Sequence, residues 1–201
     1  MLKAGIFDIG GVLQVQDVNG PLRRDVASTF KISEETFEKF RQEMEPRLLD
    51  GTLEERQYWE DLRGRTGSEE RIPSESLLLR EYVKNFIVND EVLNIIKDVK
   101  KAGLVLACLT DTQEPYTEYN RKMGLYDEFQ VQVFSHDVHM TKPDIRIYQL
   151  TLGRLEVMSQ EAFYVDDKAG NLVPAQELGM GTILFESPQQ LRRDLQRLKV
   201  L

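Results

Sequence analysis

Phe7-Asp8-Ile9-Gly10-Gly11-Val12 sets an aspartate at the end of a short apolar run, with a glycine pair close behind it. The run Gly5-Ile6-Phe7 reads as a buried strand that gives way to a tight turn, so Asp8 is desolvated on one side and accessible on the other. That setting suits a nucleophile or a metal ligand. An aspartate before glycines is also an ordinary turn residue that bonds its own backbone, and the rest of the chain has to decide between the two.

From about residue 89 onward, short β-rich runs alternate with helix-length segments: Leu104 to Leu109, Val131 to Phe134, Phe163 to Val165 and Thr182 to Phe185. The alternation predicts parallel strands joined by crossover helices. Asn89 or Asp90 can cap a helix on which Val92, Leu93, Ile96 and Val99 share a face; Lys100 and Lys101 suit its negative end and Gly103 closes it. Ser187 and Pro188 open the last helix. Between the first strand and this region, residues from about 22 to 88 read as helices only. Phe37, Phe40, Met44 and Leu48 recur at helical spacing, and Thr52 with Glu55 has the form of a capping box ahead of Leu53, Trp59 and Leu62. A helical insert at this point of the chain lies over the carboxyl end of the first strand, where a lid belongs.

Composition narrows the function classes. The 201 residues, 41% hydrophobic and 30% charged, suffice for one domain with a sizeable insertion or for two small domains. No apolar run approaches the roughly 20 residues of a membrane span, and the start lacks a secretory pattern, so a cytoplasmic protein without a membrane partner is expected. A net charge of -8, from 34 acidic against 26 basic residues without long blocks, disfavours a nucleic-acid partner. Cys108 is the single cysteine, which excludes an internal disulfide and a cysteine zinc site and leaves it the part of a small buried hydrophobe. His136 and His139 are too few for a histidine-built metal site, and solvated or hydrogen-bonded roles are expected for them. Oligomeric state is not legible.

In an open parallel sheet, ligands bind in the crevice beyond the carboxyl ends of the strands. Reading each strand to its end gives Asp8, then Thr110 with Asp111, then Asp166 with Asp167. Each is acceptable as a turn residue, but their coincidence on one rim favours function. Converging carboxylates repel one another unless a cation is present, and an all-oxygen site built from Asp8 and the Asp166-Asp167 pair favours magnesium. Lys142, in Met140-Thr141-Lys142-Pro143-Asp144, can neutralise both Asp8 and an incoming anion, although a loop lysine taken alone reads as solvated.

Four segments together resemble the haloacid dehalogenase superfamily, in its phosphatase-like branch with a helical cap inserted after the first motif. They are Phe7 to Val12, Leu109-Thr110-Asp111-Thr112, Thr141-Lys142-Pro143-Asp144 continuing to Tyr148, and Tyr164-Val165-Asp166-Asp167-Lys168-Ala169-Gly170-Asn171 continuing to Met180. The resemblance implies an α/β fold, a Rossmann-like parallel sheet core with helices on both faces, from residues 1–16 and 89–201, plus a small all-helical cap from residues 17–88. It further implies a magnesium-dependent phosphomonoesterase acting on a small phosphorylated metabolite. Asp8 takes the role of the nucleophile that forms an aspartyl-phosphate, and also of a magnesium ligand. Gly10 lends a backbone carbonyl to the ion. Thr110 holds the transferring phosphoryl group, and Lys142 lets the carboxylate approach the phosphate. Asp167 binds magnesium directly, with Asp166 supporting it. Charge neutralisation and positioning are what phosphoryl transfer asks of a protein.

Two positions depart from the pattern. The phosphatases carry an aspartate two residues after the nucleophile, as general acid and then general base, where this chain has Gly10. Loss of such a group costs about 10² to 10⁴ in rate. It implies a slow enzyme, a preference for esters that need little leaving-group protonation, or an acid recruited from the flap or cap, with Asp17 one candidate. Asp111, counted with Thr110 and Lys142 among the substrate-contacting residues, stands where relatives often have asparagine, and its charge opposes phosphate unless the side chain turns away. Gln14, Gln16 and Asp17 are candidate flap contacts to substrate, though they also read as solvated loop residues. Two alternatives stay open: a catalytically impaired homologue that binds a phosphorylated ligand or a protein, and a haloacid dehalogenase-type hydrolase, which needs no magnesium and would not call for the acidic pair.

Overall fold

A computed structural model describes residues 1–15 and 19–201. Gln16 and Asp17, and with them the boundary drawn between residues 16 and 17, lie outside the described residues. Strand β1 (Ala4–Phe7) is followed by four helices, α1 (Asn19–Phe30), α2 (Glu34–Leu49), α3 (Glu55–Thr66) and α4 (Leu77–Lys84). The chain then alternates: α5 (Asp90–Lys101), β2 (Val105–Thr110), α6 (Glu114–Lys122), β3 (Val131–Phe134), the short α7 (Ser135–Val138), α8 (Ile145–Leu155), β4 (Ala162–Asp166), α9 (Ala169–Glu177), β5 (Gly181–Leu184) and α10 (Pro188–Arg197). The strands form one five-stranded sheet in the order β3-β2-β1-β4-β5, with every pairing parallel. The expected runs are therefore the strands, with β2 and β5 displaced by one residue. For β2 the displacement makes Thr110 the last strand residue.

The order explains why the apolar runs are nearly continuous. Central strands covered on both faces need apolar side chains in both directions. Leu106 and Cys108 point with Phe7, Phe163 and Val165 into a core closed by Val92, Ile96 and Val99 of α5 and Leu191 and Leu195 of α10. Ala107 and Leu109 point the other way, with Ile6 and Tyr164, against Ile147, Tyr148 and Leu152 of α8 and Leu172 and Ala175 of α9. Cys108 is buried as expected, and burial pushes its thiol up to about 12. Asn89 caps α5 by accepting from the Val92 amide, and Ser187 caps α10 by accepting from Gln190.

The insert has an apolar core of its own, in which Leu22, Val26 and Phe30 meet Phe37, Phe40, Met44, Leu48, Trp59 and Leu62. The capping box expected at Thr52 and Glu55 does not form. Thr52 donates its amide and hydroxyl to Asp50 Oδ1, at 2.9 and 2.6 Å, and the helix begins two residues further on, after Glu54. Glu55 instead accepts from Trp59 Nε1 at 2.9 Å and from the Leu78 amide at 3.1 Å, tying α3 to α4. The Asp50 carboxylate, the Trp59 indole N–H and the Leu78 amide take the place of the cap.

The insert meets the sheet unit in two places. On one side Gly51, at φ +69, lets the backbone approach so closely that a Cβ there would stand 2.2 Å from the His136 carbonyl oxygen. Beside it, His139 Nδ1 lies 2.8 Å from the Asp50 carbonyl oxygen, and His136 Nε2 lies 3.0 Å from Thr117 Oγ1. Both histidines are thus hydrogen-bonded. On the other side Tyr82 of α4 stacks on Tyr116 of α6, with ring centroids 4.0 Å apart and planes inclined by 9°.

Candidate active site

In this strand order the chain runs outward from β1 to β3 and then crosses back to β4, which creates a crevice at the carboxyl ends of β1 and its two neighbours. Asp8 follows β1, Thr110 ends β2 and Asp166 ends β4, so the three strand-end groups chosen from the sequence are neighbours in space. Lys142 joins them. Its side chain is only 2% exposed, and Nζ lies 2.9 Å from Asp8 Oδ1, 2.9 Å from Asp166 Oδ2 and 3.4 Å from the Leu109 carbonyl oxygen. A lysine that reads as solvated in the sequence is therefore the buried hub of the site. Burial opposes its charge, but Asp8 and Asp166 outweigh that penalty and hold the ammonium above the usual lysine range.

The acidic groups around it differ in how far the protein satisfies them. Asp166 is fully buried and accepts from Lys142 Nζ, the Tyr164 hydroxyl, the Lys168 amide at 2.8 Å and Asn171 Nδ2 at 3.0 Å. Burial works against ionisation, yet Lys142 and these donors keep its carboxyl below the ordinary range. Asp8 Oδ1 accepts from its neighbour's amide, Ile9 N, at 2.7 Å. Burial pushes the Asp8 carboxyl up to about 7, against the pull of Lys142 and with some help from Asp166. Asp167 is the least satisfied: its Oδ1 is buried and has no hydrogen-bond partner among the described residues. Burial, then Asp166, raises its pKa.

The donor set fits a hard divalent cation. Asp8, Asp166 and Asp167 each offer a carboxylate oxygen, all within 4.8 Å of one another. A buried oxygen without a donor, in an all-oxygen group of this kind, is what magnesium or a similar ion would complete. Asp166 already has both of its oxygens engaged by protein donors. Gly11 makes the arrangement possible, because a Cβ at this residue, φ +79, would stand 2.2 Å from Asp167 Oδ2.

Asp111 is held through one of its oxygens. Its Oδ1 accepts the backbone amide of Lys142 at 3.0 Å, and burial is the main cause of its raised pKa. It thereby fixes the loop that delivers Lys142, a role the sequence did not suggest.

Above these groups lies a cavity of about 350 Å³ whose floor includes Gly10, Gly11, Thr110 and Asp111 and whose far wall comes from the insert, through Arg41, Glu45, Leu49 and Tyr82. Gln14, expected as a solvated flap residue, is instead buried; its Nε2 donates to the Tyr82 hydroxyl at 2.5 Å. That hydroxyl donates to Asn120 Oδ1 at 2.8 Å, and Asn120 Nδ2 donates to the Tyr126 hydroxyl at 3.1 Å. A larger hollow on the insert, about 460 Å³ and lined by Trp59, Ile72 and Ser74 among others, holds none of the strand-end groups. The sequence reading missed Tyr164, Asn171, Arg41 and Glu45. For the last two a signal existed: helical spacing sets Arg41, Glu45 and Leu49 in one line beside the buried stripe of Phe37, Met44 and Leu48.

The sequence pattern of the haloacid dehalogenase-like hydrolases matches residues 14–185. The chain belongs to that family of hydrolases. Mouse (Mus musculus) acyl-CoA dehydrogenase family member 10 is 35% identical over 129 residues, which are 61% of this chain but 11% of that protein. The sesquiterpene phosphatase of Aspergillus oryzae is 26% identical over 186 residues, covering 89% of this chain and 87% of the fungal one. Among solved structures, a HAD family enzyme of Bacteroides thetaiotaomicron in complex with magnesium and inorganic phosphate has a TM-score of 0.77 over 92% of this chain and 95% of its own, at 20% identity. At that identity the likeness is one of fold.

Proposed function

We propose that the chain is a magnesium-dependent phosphomonoesterase for a small phosphorylated metabolite, with the helical insert as its cap. The observation that carries this reading is the buried Asp8–Lys142–Asp166 cluster, with an Asp167 oxygen that no described residue partners, next to the cavity that Ile9, Gly10, Gly11 and Thr110 line. Asp8 attacks phosphorus and is left as an aspartyl-phosphate. Lys142 offsets the repulsion between the carboxylate and the incoming phosphate, and Thr110 holds a phosphoryl oxygen. Asp8, the Gly10 carbonyl and Asp167 would hold magnesium, which supplies further charge neutralisation on the phosphate. Asp166 keeps Lys142 in place, and water completes the cycle by hydrolysing the aspartyl-phosphate. The phosphatase among the relatives supports the reaction class. The polar wall formed by Gln14, Arg41, Glu45 and Asn120 favours a substrate with polar groups beyond its phosphate.

Hydrolysis of an aryl phosphate by the purified protein is expected to require magnesium and to stop when a chelator is added. Turnover that survives the chelator would refute the metal assignment. Gly10 favours a second reading, in which the protein binds a phosphorylated ligand without turning it over; no hydrolysis of any ester, together with magnesium-dependent binding of phosphate, would establish it.

Gly11→Ala tests the ion's place by a different route. The added methyl group strains a left-handed backbone and displaces the Asp167 carboxylate, so magnesium affinity measured by calorimetry is expected to fall about 10- to 100-fold. An unchanged affinity would take Asp167 out of the ion's coordination.

A further inference from the structure

Gly10 leaves the family's acid position without a side chain, and the space beside it is open: nothing among the described residues comes within 4 Å of where its Cβ would stand. Its backbone is outside the left-handed region, so the missing side chain is not explained by strain. The cavity that Gly10 floors is closed from above by α2, and the carboxyl-bearing side chain contributed there is Glu45.

We propose that Glu45, reaching down from the insert, is the acid–base group that replaces the absent aspartate. The proposal rests on the phosphatase reading and adds to it a catalytic residue on a different part of the chain. Glu45 lines the same cavity as Gly10, Thr110 and Asp111, with its side chain 26% exposed. Arg41, one turn earlier, forms ion pairs with both Glu45 and Glu38, the latter at 2.8 Å, and so fixes the direction of the Glu45 carboxyl. Lys168, from the loop after β4, shares the cavity and acts electrostatically on Glu45 from the sheet side. Burial is the leading influence on Glu45 and raises its pKa, with Glu38 adding to the rise while Arg41 and Lys168 oppose it. A carboxyl group that gains and loses its proton nearer neutrality is suited to both halves of the reaction.

In the first half, an Asp8 oxygen bonds to phosphorus as the bond from phosphorus to the ester oxygen breaks. The electron pair stays on that oxygen, which takes the Glu45 proton and leaves as the alcohol. In the second half, water attacks the aspartyl-phosphate, the Glu45 carboxylate accepts the water proton, and the bond between phosphorus and the Asp8 oxygen breaks to give inorganic phosphate and the free carboxylate. Both groups end as they began.

The test compares kcat/KM for p-nitrophenyl phosphate, whose leaving group departs without help, with values for a set of alkyl phosphates, in wild type, Glu45→Gln and Asp17→Asn. In Glu45→Gln the alkyl esters are expected to lose about 10²-fold or more and the aryl ester about 10-fold or less. Because the ratio is taken within one preparation, a partly unfolded variant does not distort it. Adding Gly10→Asp to Glu45→Gln is expected to restore alkyl turnover, which a merely structural role for Glu45 would not allow. An unchanged alkyl-to-aryl ratio in Glu45→Gln, the change appearing in Asp17→Asn instead, or wild-type turnover of the aryl ester alone would overturn the proposal and leave the phosphatase reading standing. Absence of Asp8-dependent turnover of either ester by wild type would overturn both.

Discussion

Lys142→Met is expected to destabilise the metal-free protein by about 3–5 kcal/mol and to abolish turnover. The side chain is nearly inaccessible and stands between two carboxylates, 2.9 Å from each. Removing it leaves Asp8 and Asp166 buried beside one another without a counter-charge, and the cost is that of uncompensated burial rather than of a lost contact. Against the roughly 5–15 kcal/mol that holds a typical domain together, a loss of this size is large. Urea unfolding in the presence of a chelator measures it. The double variant Lys142→Met with Asp8→Asn is expected to recover part of the loss, because one of the stranded charges is gone. A single variant as stable as wild type would mean that the two carboxylates are satisfied in some other way, and the hub assigned to Lys142 would fall.

Asp8→Asn should behave in the opposite sense, dead but stable. On the proposed aspartyl-phosphate route an amide in place of the carboxylate has no attacking oxygen, so turnover is expected to fall by about 10⁴-fold or more. The fold loses little, because Asp166 alone can partner Lys142 and because burial already penalises the Asp8 charge, as its rise to about 7 shows. A melting temperature equal to or above that of wild type, measured with a chelator, is the expected result. Turnover that persists in this variant would refute the aspartyl-phosphate route. A large loss of stability would instead show that Asp8 contributes to the fold in a way its contacts do not reveal.

The sheet was legible because its physics is periodic and local. Short apolar runs separated by capped amphipathic helices leave little choice but parallel strands, and reading each run to its end delivered Asp8, Thr110 and Asp166 to one rim. Lys142 was harder. Its burial depends on where β1 and β4 place two carboxylates far away in sequence, and its own loop carries no trace of them. Gln14 shows the same limit, since its partner Tyr82 belongs to the insert. Arg41 and Glu45 were not picked out, although their spacing with Leu49 was there to be read, because what they face depends on how the insert sits over the sheet. At Thr52 one local signal gave way to another, the Asp50 carboxylate two residues back, while Glu55 was drawn off by Trp59 on its own helix and by the Leu78 amide of α4.

The donors gathered around Asp166 have one more consequence. They are in place before any ligand arrives, so the work of concentrating charge at this rim is done while the chain folds and need not be repeated in each cycle. Asp167 is the opposite case, a carboxylate whose buried oxygen no described residue partners. The rim thus divides into fixed wiring on the Asp166 side and, on the Asp167 side, the place the proposal gives to the ion. On that proposal, exchanging one divalent ion for another is expected to alter the rate while leaving the wiring around Asp166 untouched.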